Sequence, residues 1–305
     1  MPHSKGLTGP ASETKRVLVT GSTGQQGGAL ARILLQRGHH VRAMTRKPDG
    51  PAAAQLARAG AEVVRGDLGD RSSVAKAANG VDVAFIVATP YERGPATETE
   101  WARTGVEAAH AAKVPYIVYS SVSDADRTTG IPHFDSKFVV EEALKALGTD
   151  YSVVAPVFFM ENFFSPWTTA GFASGVLAMG VAPDRKLQVI SIPEIAEFTT
   201  LAIEQPGSFR GKRINIASDE LTPPEMAQRI SEAAKSRLAY VPIPIEQLRT
   251  QNEDAAKMYD WFNRVGYSVD IPRLKKGYPQ VHWTNFREWS ARQDWSKVFS
   301  GSAKP

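Results

Sequence analysis

Three glycines near the start of the chain are spaced as a phosphate-binding loop requires. Gly21, Gly24 and Gly27 follow a strand-like run at residues 16–20 and precede a helical pattern at residues 25–37. Glycine lets the chain turn off the strand, lets a phosphate approach the backbone and lets the helix pack close to the sheet. The free N–H groups at the start of the helix, aided by its dipole, then bind a diphosphate. We therefore predict a dinucleotide site at this loop. Its residues are Gly21, Ser22, Thr23, Gly24, Gln25, Gln26 and Gly27.

Two basic residues after the second predicted strand indicate which dinucleotide binds. Arg46 and Lys47 follow the strand at residues 40–45, and Asp49 lies further on. An NAD site usually has an acidic residue at this strand end, which binds the ribose hydroxyls. The guanidinium of Arg46 offers two parallel donors to a 2′-phosphate instead. A solvated basic turn is the alternative interpretation, but the two cations favour NADP(H).

Residues after the third and fourth predicted strands extend the expected cofactor site. Within the segment GDLGD, Asp67 would accept the adenine amino group while Leu68 packs on the ring, although Asp67 is equally suited to capping the next helix. Thr89 and Tyr91 follow the fourth strand, at the sheet edge where open parallel sheets bind ligands. We expect Thr89 to contact the cofactor. Tyr91 either lies beside the nicotinamide or packs against a lid.

The elements that position these residues alternate between strand and helix. The predicted strands are residues 16–20, 40–45, 61–65, 82–88, 115–120 and 151–155, and the predicted helices are 25–37, 51–59, 71–78, 96–112 and 134–147. This alternation is typical of right-handed βαβ units and of a parallel sheet covered on both faces. The predicted fold class is α/β, a Rossmann-type doubly wound parallel sheet with a smaller C-terminal α+β domain.

The chain divides into three predicted regions. Residues 1–14 form a mobile tail, residues 15–157 an NADP-binding Rossmann domain, and residues 158–305 a smaller substrate and lid domain. In the last region a strand at 213–217, a helix at 223–235 and a strand at 238–242 still fit the alternating pattern, and some strands and helices of this region are expected to extend the Rossmann sheet. The uncharged stretch 163–183 is expected to form the lid. The last sixty residues are rich in aromatic side chains, which predict a helical, aromatic-packed end; they include Tyr259, Trp261, Phe262, Tyr267, Trp283, Phe286, Trp289 and Trp295.

Composition excludes several kinds of chemistry. The chain has 305 residues, a formal net charge of +4 and no cysteine, so disulfides, thiolate catalysis and cysteine-bound metals are ruled out. We find no basic helix and no metal-ligand spacing, and therefore expect neither nucleic-acid binding nor a metal site. The first residues lack the apolar core of a secretory signal, and glycine and polar residues interrupt the uncharged stretch. We expect a cytoplasmic monomer or homodimer that does not enter the membrane.

Several segments resemble the NmrA-like branch of the atypical short-chain dehydrogenases/reductases. They are VLVTGSTGQQGG, VRAMTRKPD, GDLGD, YIVYSSVSDAD, HFDSKFVVEEAL and VVAPVFFMENF, followed later by RINIASDELTPPEMAQRIS. The resemblance implies a Rossmann domain that binds NADP(H) and a smaller C-terminal domain that covers a cleft. It does not imply a single activity, because the branch includes reductases and also cofactor-binding regulators without turnover.

The same resemblance indicates candidate catalytic residues. The superfamily uses a serine, a tyrosine and a lysine, the last two spaced Tyr-x-x-x-Lys. Here His133 and Lys137 occupy that pair, and Ser121 matches the serine. The resemblance implies that Lys137 binds the nicotinamide ribose and that Ser121 contacts a substrate oxygen. Residues four apart on a helix face the same side, so His133 and Lys137 would act together.

A reductase also needs a source for the proton that follows the hydride. His133 is one candidate, since an imidazole titrates at about pH 6.5, and Tyr91 is another. Both would also contact the substrate. The structural alternatives are that His133 only caps a helix and that Ser121 only ties down its loop.

An aromatic segment after the sixth strand would form the substrate pocket. Phe159, Met160 and Phe163 would line it, with Asn162 as the polar exception, although ordinary core packing explains the same pattern. Aromatic walls with one amide suit a flat, neutral substrate. The leading hypothesis is therefore an NADPH-dependent reductase of a small, largely apolar carbonyl, quinone or conjugated aromatic compound. The alternative is a non-catalytic NADP(H)-binding redox sensor that acts through a protein partner, which the missing tyrosine favours.

Overall fold

The computed structural model describes residues 13–90 and 93–299, so most of the predicted N-terminal tail and Tyr91 lie outside the described residues. Every predicted element of the first half is present, with ends that differ by a few residues. The elements are β1 (Arg16–Val19), α1 (Gln25–Gln36), β2 (His40–Thr45), α2 (Pro51–Arg58), β3 (Glu62–Arg65), α3 (Arg71–Ala78), β4 (Val83–Ile86), α4 (Gly94–Ala111), β5 (Tyr116–Ser120), α5 (Pro132–Ala146) and β6 (Asp150–Pro156).

The second half contains shorter elements. They are β7 (Phe158–Phe159), α6 (Pro166–Thr169), β8 (Val176–Met179), β9 (Leu187–Ile190), α7 (Ile192–Glu204), α8 (Pro206–Phe209), β10 (Lys212–Ile216), β11 (Asp219–Leu221), α9 (Pro223–Ala234), β12 (Ala239–Pro242), α10 (Ile245–Gln251), α11 (Glu253–Arg264), α12 (Ile271–Gly277), α13 (Phe286–Ala291) and α14 (Ser296–Phe299). The predicted later strands and helix correspond to β10, α9 and β12. The stretch expected as a lid contains α6 and β8.

A seven-stranded parallel sheet forms the centre of the molecule, in the order β10-β6-β5-β4-β1-β2-β3. β1 pairs with β2 on one side and with β4 on the other, so the strand order reverses there. Ligands of open α/β sheets bind at such a reversal, beyond the carboxyl ends of the strands. The predicted α/β parallel fold is confirmed, and β10 from the second half supplies one edge strand.

Helices cover both faces of this sheet. On one face Leu30 and Leu34 of α1 pack with Ile195 and Phe198 of α7 over β1, β4 and β5. On the other face α3, α4 and α5 pack over the same strands. Helix α7 is not among the predicted helices, and most of its residues are buried.

A separate aromatic core holds the C-terminal part together. Phe163 contacts Phe286 with ring centroids 5.1 Å apart, and Phe164 stacks on Trp295 at 4.6 Å. Two small sheets, β11-β9-β7 and β12-β8, border this core. The aromatic residues near the C-terminus thus pack among helices, as their number in the sequence predicts.

Candidate functional site

The glycine loop adopts a backbone that other residues would disturb. Gly21 has φ +58°, in the left-handed region, where the chain leaves β1. A Cβ on Gly27 would lie 2.5 Å from the carbonyl oxygen of Gly21, well inside van der Waals contact. The N–H of Gly24 donates to the same carbonyl at 2.9 Å, which closes the turn. The start of α1 therefore approaches the strand end as closely as its backbone allows.

The N-terminus of α1 presents bare amides to solvent. Gly24 is the capping residue and has no side chain to offer, and the first turn contains no acidic residue. The first backbone N–H groups of a helix have no partner within it, and they carry the positive end of the helix dipole. Gly24 and Gln25 are exposed. This arrangement fits an anion held by the backbone.

Side chains of the loop anchor it to neighbouring strands. The Ser22 hydroxyl is buried and donates to the Met44 carbonyl of β2 at 2.9 Å. The Gln26 amide donates to the Ser120 hydroxyl at the end of β5, at 2.7 Å. Thr23 lies 3.4 Å from Thr45, hydroxyl to hydroxyl. The loop is thus held from both sides.

The two predicted cations lie at the exposed end of β2. The guanidinium carbon of Arg46 lies 5.8 Å from the centroid of the Trp101 ring, and so does that of Arg93. Trp101 projects from α4 and its indole nitrogen lies close to Gly69, since a Cβ there would be 3.0 Å away. Sequence reasoning missed Trp101, because nothing in the local pattern of α4 distinguishes it from a packing residue.

The segment GDLGD forms a tight turn before α3. Asp67 Oδ1 accepts from the Gly69 N–H at 2.9 Å, and Asp70 is the residue that caps α3. The capping role considered for Asp67 therefore belongs to Asp70. Leu68 is half-buried and packs against the core under α3 and α4. Contact of Asp67 and Leu68 with an adenine stays a prediction.

Lys137 lies on α5 and reaches the carboxyl end of β4. Its Nζ donates to the Ala88 carbonyl at 3.1 Å and lies 2.8 Å from Oε1 of Glu98 on α4. The Glu98 side chain is 1% exposed and also accepts from the Ser136 hydroxyl. Thr89, the next residue after Ala88, is exposed. An ammonium group is thus fixed beside the strand ends where the sheet order reverses.

His133 begins the same helix and is held by a residue from the other half of the chain. Its Nδ1 lies 2.5 Å from Oδ2 of Asp254, and its backbone N–H donates to Oδ1 at 3.1 Å. Asp254 lies in the first turn of α11. Although burial acts against ionisation, the hydrogen bonds and charge of His133 lower the pKa of Asp254. Sequence reasoning did not pair these two residues, which are 121 positions apart.

Ser121 is part of a buried polar network. Its hydroxyl donates to Oε1 of Glu141, whose other oxygen lies 2.9 Å from Nε of Arg213. Burial raises the pKa of Glu141, with Arg213 acting in the opposite direction. The described contacts of Ser121 fit the structural alternative, in which it ties β5 to α5 and β10. Contact with a substrate stays a prediction.

The residues expected to line a substrate pocket lie mainly in the core. Met160 and Phe163 are fully buried in the aromatic core, and Phe159 packs against the core of the sheet. Asn162 is half-buried and its carbonyl accepts from the Ser165 N–H at 3.0 Å. These contacts match the alternative of ordinary packing, and a substrate role for the segment stays a prediction.

Residues 13–90 and 93–299 contain neither a metal-ligating cluster nor a helix that could cross a membrane. No group of three or more potential metal-ligating side chains occurs there. No described helix is long and apolar enough to cross a membrane.

The sheet, its reversal at β1 and the glycine loop define the Rossmann class of dinucleotide-binding folds. The model of the NmrA-like family matches residues 13–297, and the chain belongs to that family. The NmrA-like family domain-containing oxidoreductase malD of Malbranchea aurantiaca is 26% identical to it, over 91% of this chain and 96% of malD.

Solved structures share the fold at low sequence identity. The NADPH-dependent quinone oxidoreductase of Escherichia coli, crystallised with NADPH, is 22% identical with a TM-score of 0.77, over 90% of this chain and 98% of that one. NmrA, a negative transcriptional regulator crystallised with NAD, is 19% identical with a TM-score of 0.79, over 96% and 99%. NmrA has also been crystallised with NADP.

Proposed function

We propose that this protein is an NADPH-dependent oxidoreductase that reduces a small, largely apolar carbonyl, quinone or conjugated aromatic compound. The observation that carries the proposal is the geometry of the loop between β1 and α1. No side chain caps the first amides of α1, and the backbone around Gly27 leaves no room for a side chain. A diphosphate fits this cradle, because it is an anion that backbone donors can bind without side chains.

The neighbouring residues fit the remaining parts of NADPH. Arg46 and Lys47 are exposed beside the loop and would bind the 2′-phosphate. Thr89 and the ammonium of Lys137 lie at the end of β4 and would bind the nicotinamide ribose. When bound, NADPH supplies the hydride. Lys137 would hold the ring in place, and the pairing with Glu98 limits where its ammonium can move.

The proton for the reduced product would come from His133 in its doubly protonated form, which gives up the proton on Nε2 and keeps the one on Nδ1. Its Nδ1 is engaged by Asp254, so Nε2 is the ring nitrogen free to exchange a proton with a substrate. His133 and Lys137 are one helical turn apart and lie on the same side of α5. A histidine there would be near the nicotinamide if Lys137 binds the cofactor. The substrate class is supported by similar proteins named oxidoreductase or quinone oxidoreductase.

A second function is favoured by one specific observation. Histidine stands where the superfamily uses tyrosine, and the similar NmrA is a transcriptional regulator that was crystallised with a dinucleotide. A non-catalytic sensor of NADP(H) that acts on a protein partner would use the same loop and the same Lys137, but would need no proton donor.

Turnover and binding measurements separate the two functions. Purified protein is mixed with NADPH and a panel of quinones, enones and aromatic aldehydes, and absorbance is followed at 340 nm, while calorimetry gives the Kd for NADPH and NADH. Oxidation of NADPH above background supports the reductase. Tight NADPH binding without oxidation by any acceptor supports the sensor. Absence of binding to either nucleotide contradicts both.

A further inference from the structure

An aspartate from the C-terminal half of the chain contacts His133 at the start of α5. Asp254 accepts two hydrogen bonds from a single residue, one from the backbone N–H of His133 and one from its Nδ1. The His133 side chain is 20% exposed and that of Asp254 is 31% exposed, so the contact is partly sheltered from water. Two bonds to one residue fix both the position of the helix start and the orientation of the imidazole.

A helix cap and aromatic packing hold the elements around this contact. Asn252 caps α11 by accepting from the Ala255 N–H at 3.0 Å, which places Asp254 in the first helical turn. Phe134, the residue after His133, packs on Trp261 of α11 with ring centroids 6.0 Å apart and stacks on Tyr267 at 6.2 Å. The aromatic packing therefore sets the distance between α5 and α11 independently of the hydrogen bonds.

The charges near the pair favour an ionised Asp254. Lys257, one turn further along α11, and the hydrogen bonds from His133 act together to lower its pKa, against the effect of burial. On α5, Lys137 follows His133 by one turn, but its ammonium is occupied by Glu98 at 2.8 Å. The carboxylate of Asp254 is thus available as the acceptor for the imidazole.

We propose that Asp254 is a positioning residue that keeps a proton on Nδ1 of His133, so that the doubly protonated ring gives its other proton from Nε2 to the product and is left as the neutral tautomer with its proton on Nδ1. A carboxylate can only accept, so a neutral imidazole bound to it must carry its proton on the bound nitrogen. The proposal rests on the proposed reductase function for its purpose. Its structural content, the tautomer of His133, does not depend on turnover.

The tautomer can be measured directly. Long-range ¹H–¹⁵N correlation spectra of the full-length, ¹⁵N-labelled protein at pH 8 distinguish a protonated from an unprotonated ring nitrogen, and His133→Gln assigns the His133 signals. We expect Nδ1 protonated and Nε2 unprotonated in the wild type. In Asp254→Ala the signals should move toward a mixture of the two tautomers. A wild-type spectrum with the proton on Nε2, or one that Asp254→Ala leaves unchanged, overturns the proposal.

A matched control removes the same charge from the same helical turn. Glu253 precedes Asp254 in α11 and its carboxylate contacts Arg249 at 3.0 Å instead of His133. Glu253→Ala should leave the His133 spectrum unchanged. With NADPH and 9,10-phenanthrenequinone as probes, Asp254→Ala should lower kcat at least tenfold with the KM for NADPH unchanged, and Glu253→Ala should alter neither. If the wild type does not turn over, the reductase function fails while the spectra still decide the tautomer.

Discussion

At the scale of single residues, Gly27 is the position where the surrounding backbone leaves no space for a side chain. A Cβ would lie 2.5 Å from the oxygen and 2.7 Å from the carbon of the Gly21 carbonyl, and backbone atoms cannot rotate aside. We expect Gly27→Ala to lower the free energy of unfolding by about 1–3 kcal/mol and to weaken NADPH binding at least tenfold. Urea unfolding and calorimetry check the two effects.

Gly207 provides the matched control for that substitution. It lies in α8, and nothing lies within 4 Å of the Cβ that alanine would add. Gly207→Ala should leave NADPH affinity unchanged and stabilise the protein by about 0.4–1 kcal/mol, because alanine restricts the unfolded chain. Equal NADPH affinity in Gly27→Ala and Gly207→Ala would contradict the proposal that the loop between β1 and α1 binds the diphosphate.

Arg46 carries the expected preference for the phosphorylated cofactor. If its guanidinium binds the 2′-phosphate, Arg46→Ala removes a charge-assisted contact worth about 1.5–3 kcal/mol, or roughly a 10- to 150-fold increase in the Kd for NADPH. The Kd for NADH should change by less than about threefold, because NADH lacks that phosphate. Calorimetry with both nucleotides tests this, and equal losses for the two would assign Arg46 to packing against Trp101.

At the scale of elements, the ion pair between Lys137 and Glu98 joins α5 to α4. Glu98 is 1% exposed and Lys137 is 12% exposed, so removing either side chain leaves its partner in a poorly hydrated place. We expect Lys137→Met and Glu98→Gln each to destabilise the fold by about 3–5 kcal/mol, and the double variant to cost clearly less than their sum. Lys137→Met should be the worse of the two, because the glutamate it leaves is the more buried partner.

A control for this cycle is the exposed pair of Arg71 and Glu107, which joins α3 to α4 at 2.9 Å. Arg71→Met should cost less than about 1 kcal/mol, since water replaces the lost contact. Urea unfolding of all four variants gives the comparison. Additive effects of Lys137→Met and Glu98→Gln would mean that the buried pair is not coupled.

Across the whole molecule, sequence reasoning succeeds where the determinants are local. Each strand and helix of the first half follows from a run of adjacent residues, and the three glycines follow from the turn that they must make. It fails where residues distant in the chain meet. Asp254 contacts His133 although 121 positions separate them, and Trp101 of α4 meets Arg46, which follows β2. Helix α7, most of whose residues are buried, is also missing from the prediction.

Buried carboxyl groups give the whole molecule a predictable response to pH. Burial raises the pKa of Glu161 to about 7, against hydrogen bonds that include those from Ile192 and Trp289, and the charge of Glu194 adds to the rise. Burial also raises the pKa values of Glu141 and Glu194. The folded state therefore retains protons that the unfolded chain releases at its ordinary glutamate pKa of 4.5.

The sign of the effect follows from that difference. A group whose pKa is raised by folding contributes stability that is complete below its unfolded pKa and is lost as the pH rises through its folded pKa. We expect the free energy of unfolding to fall between about pH 4.5 and pH 7, with Glu161 contributing about 2–3 kcal/mol of the loss. The lowered pKa values of Glu204 and Asp254 act in the opposite direction, but only in more acidic solution.

Urea unfolding at a series of pH values isolates the contribution of Glu161. Glu161→Gln cannot titrate, so its unfolding free energy should fall less steeply over this range than that of the wild type, whatever its stability at any one pH. Glu246→Gln is the control, because its side chain is 83% exposed on α10 and its replacement should leave the slope unchanged. If Glu161→Gln and the wild type show the same slope, the carboxyl of Glu161 is ionised in the fold at neutral pH, and the segment that follows β7 then accommodates a buried negative charge beside Glu194.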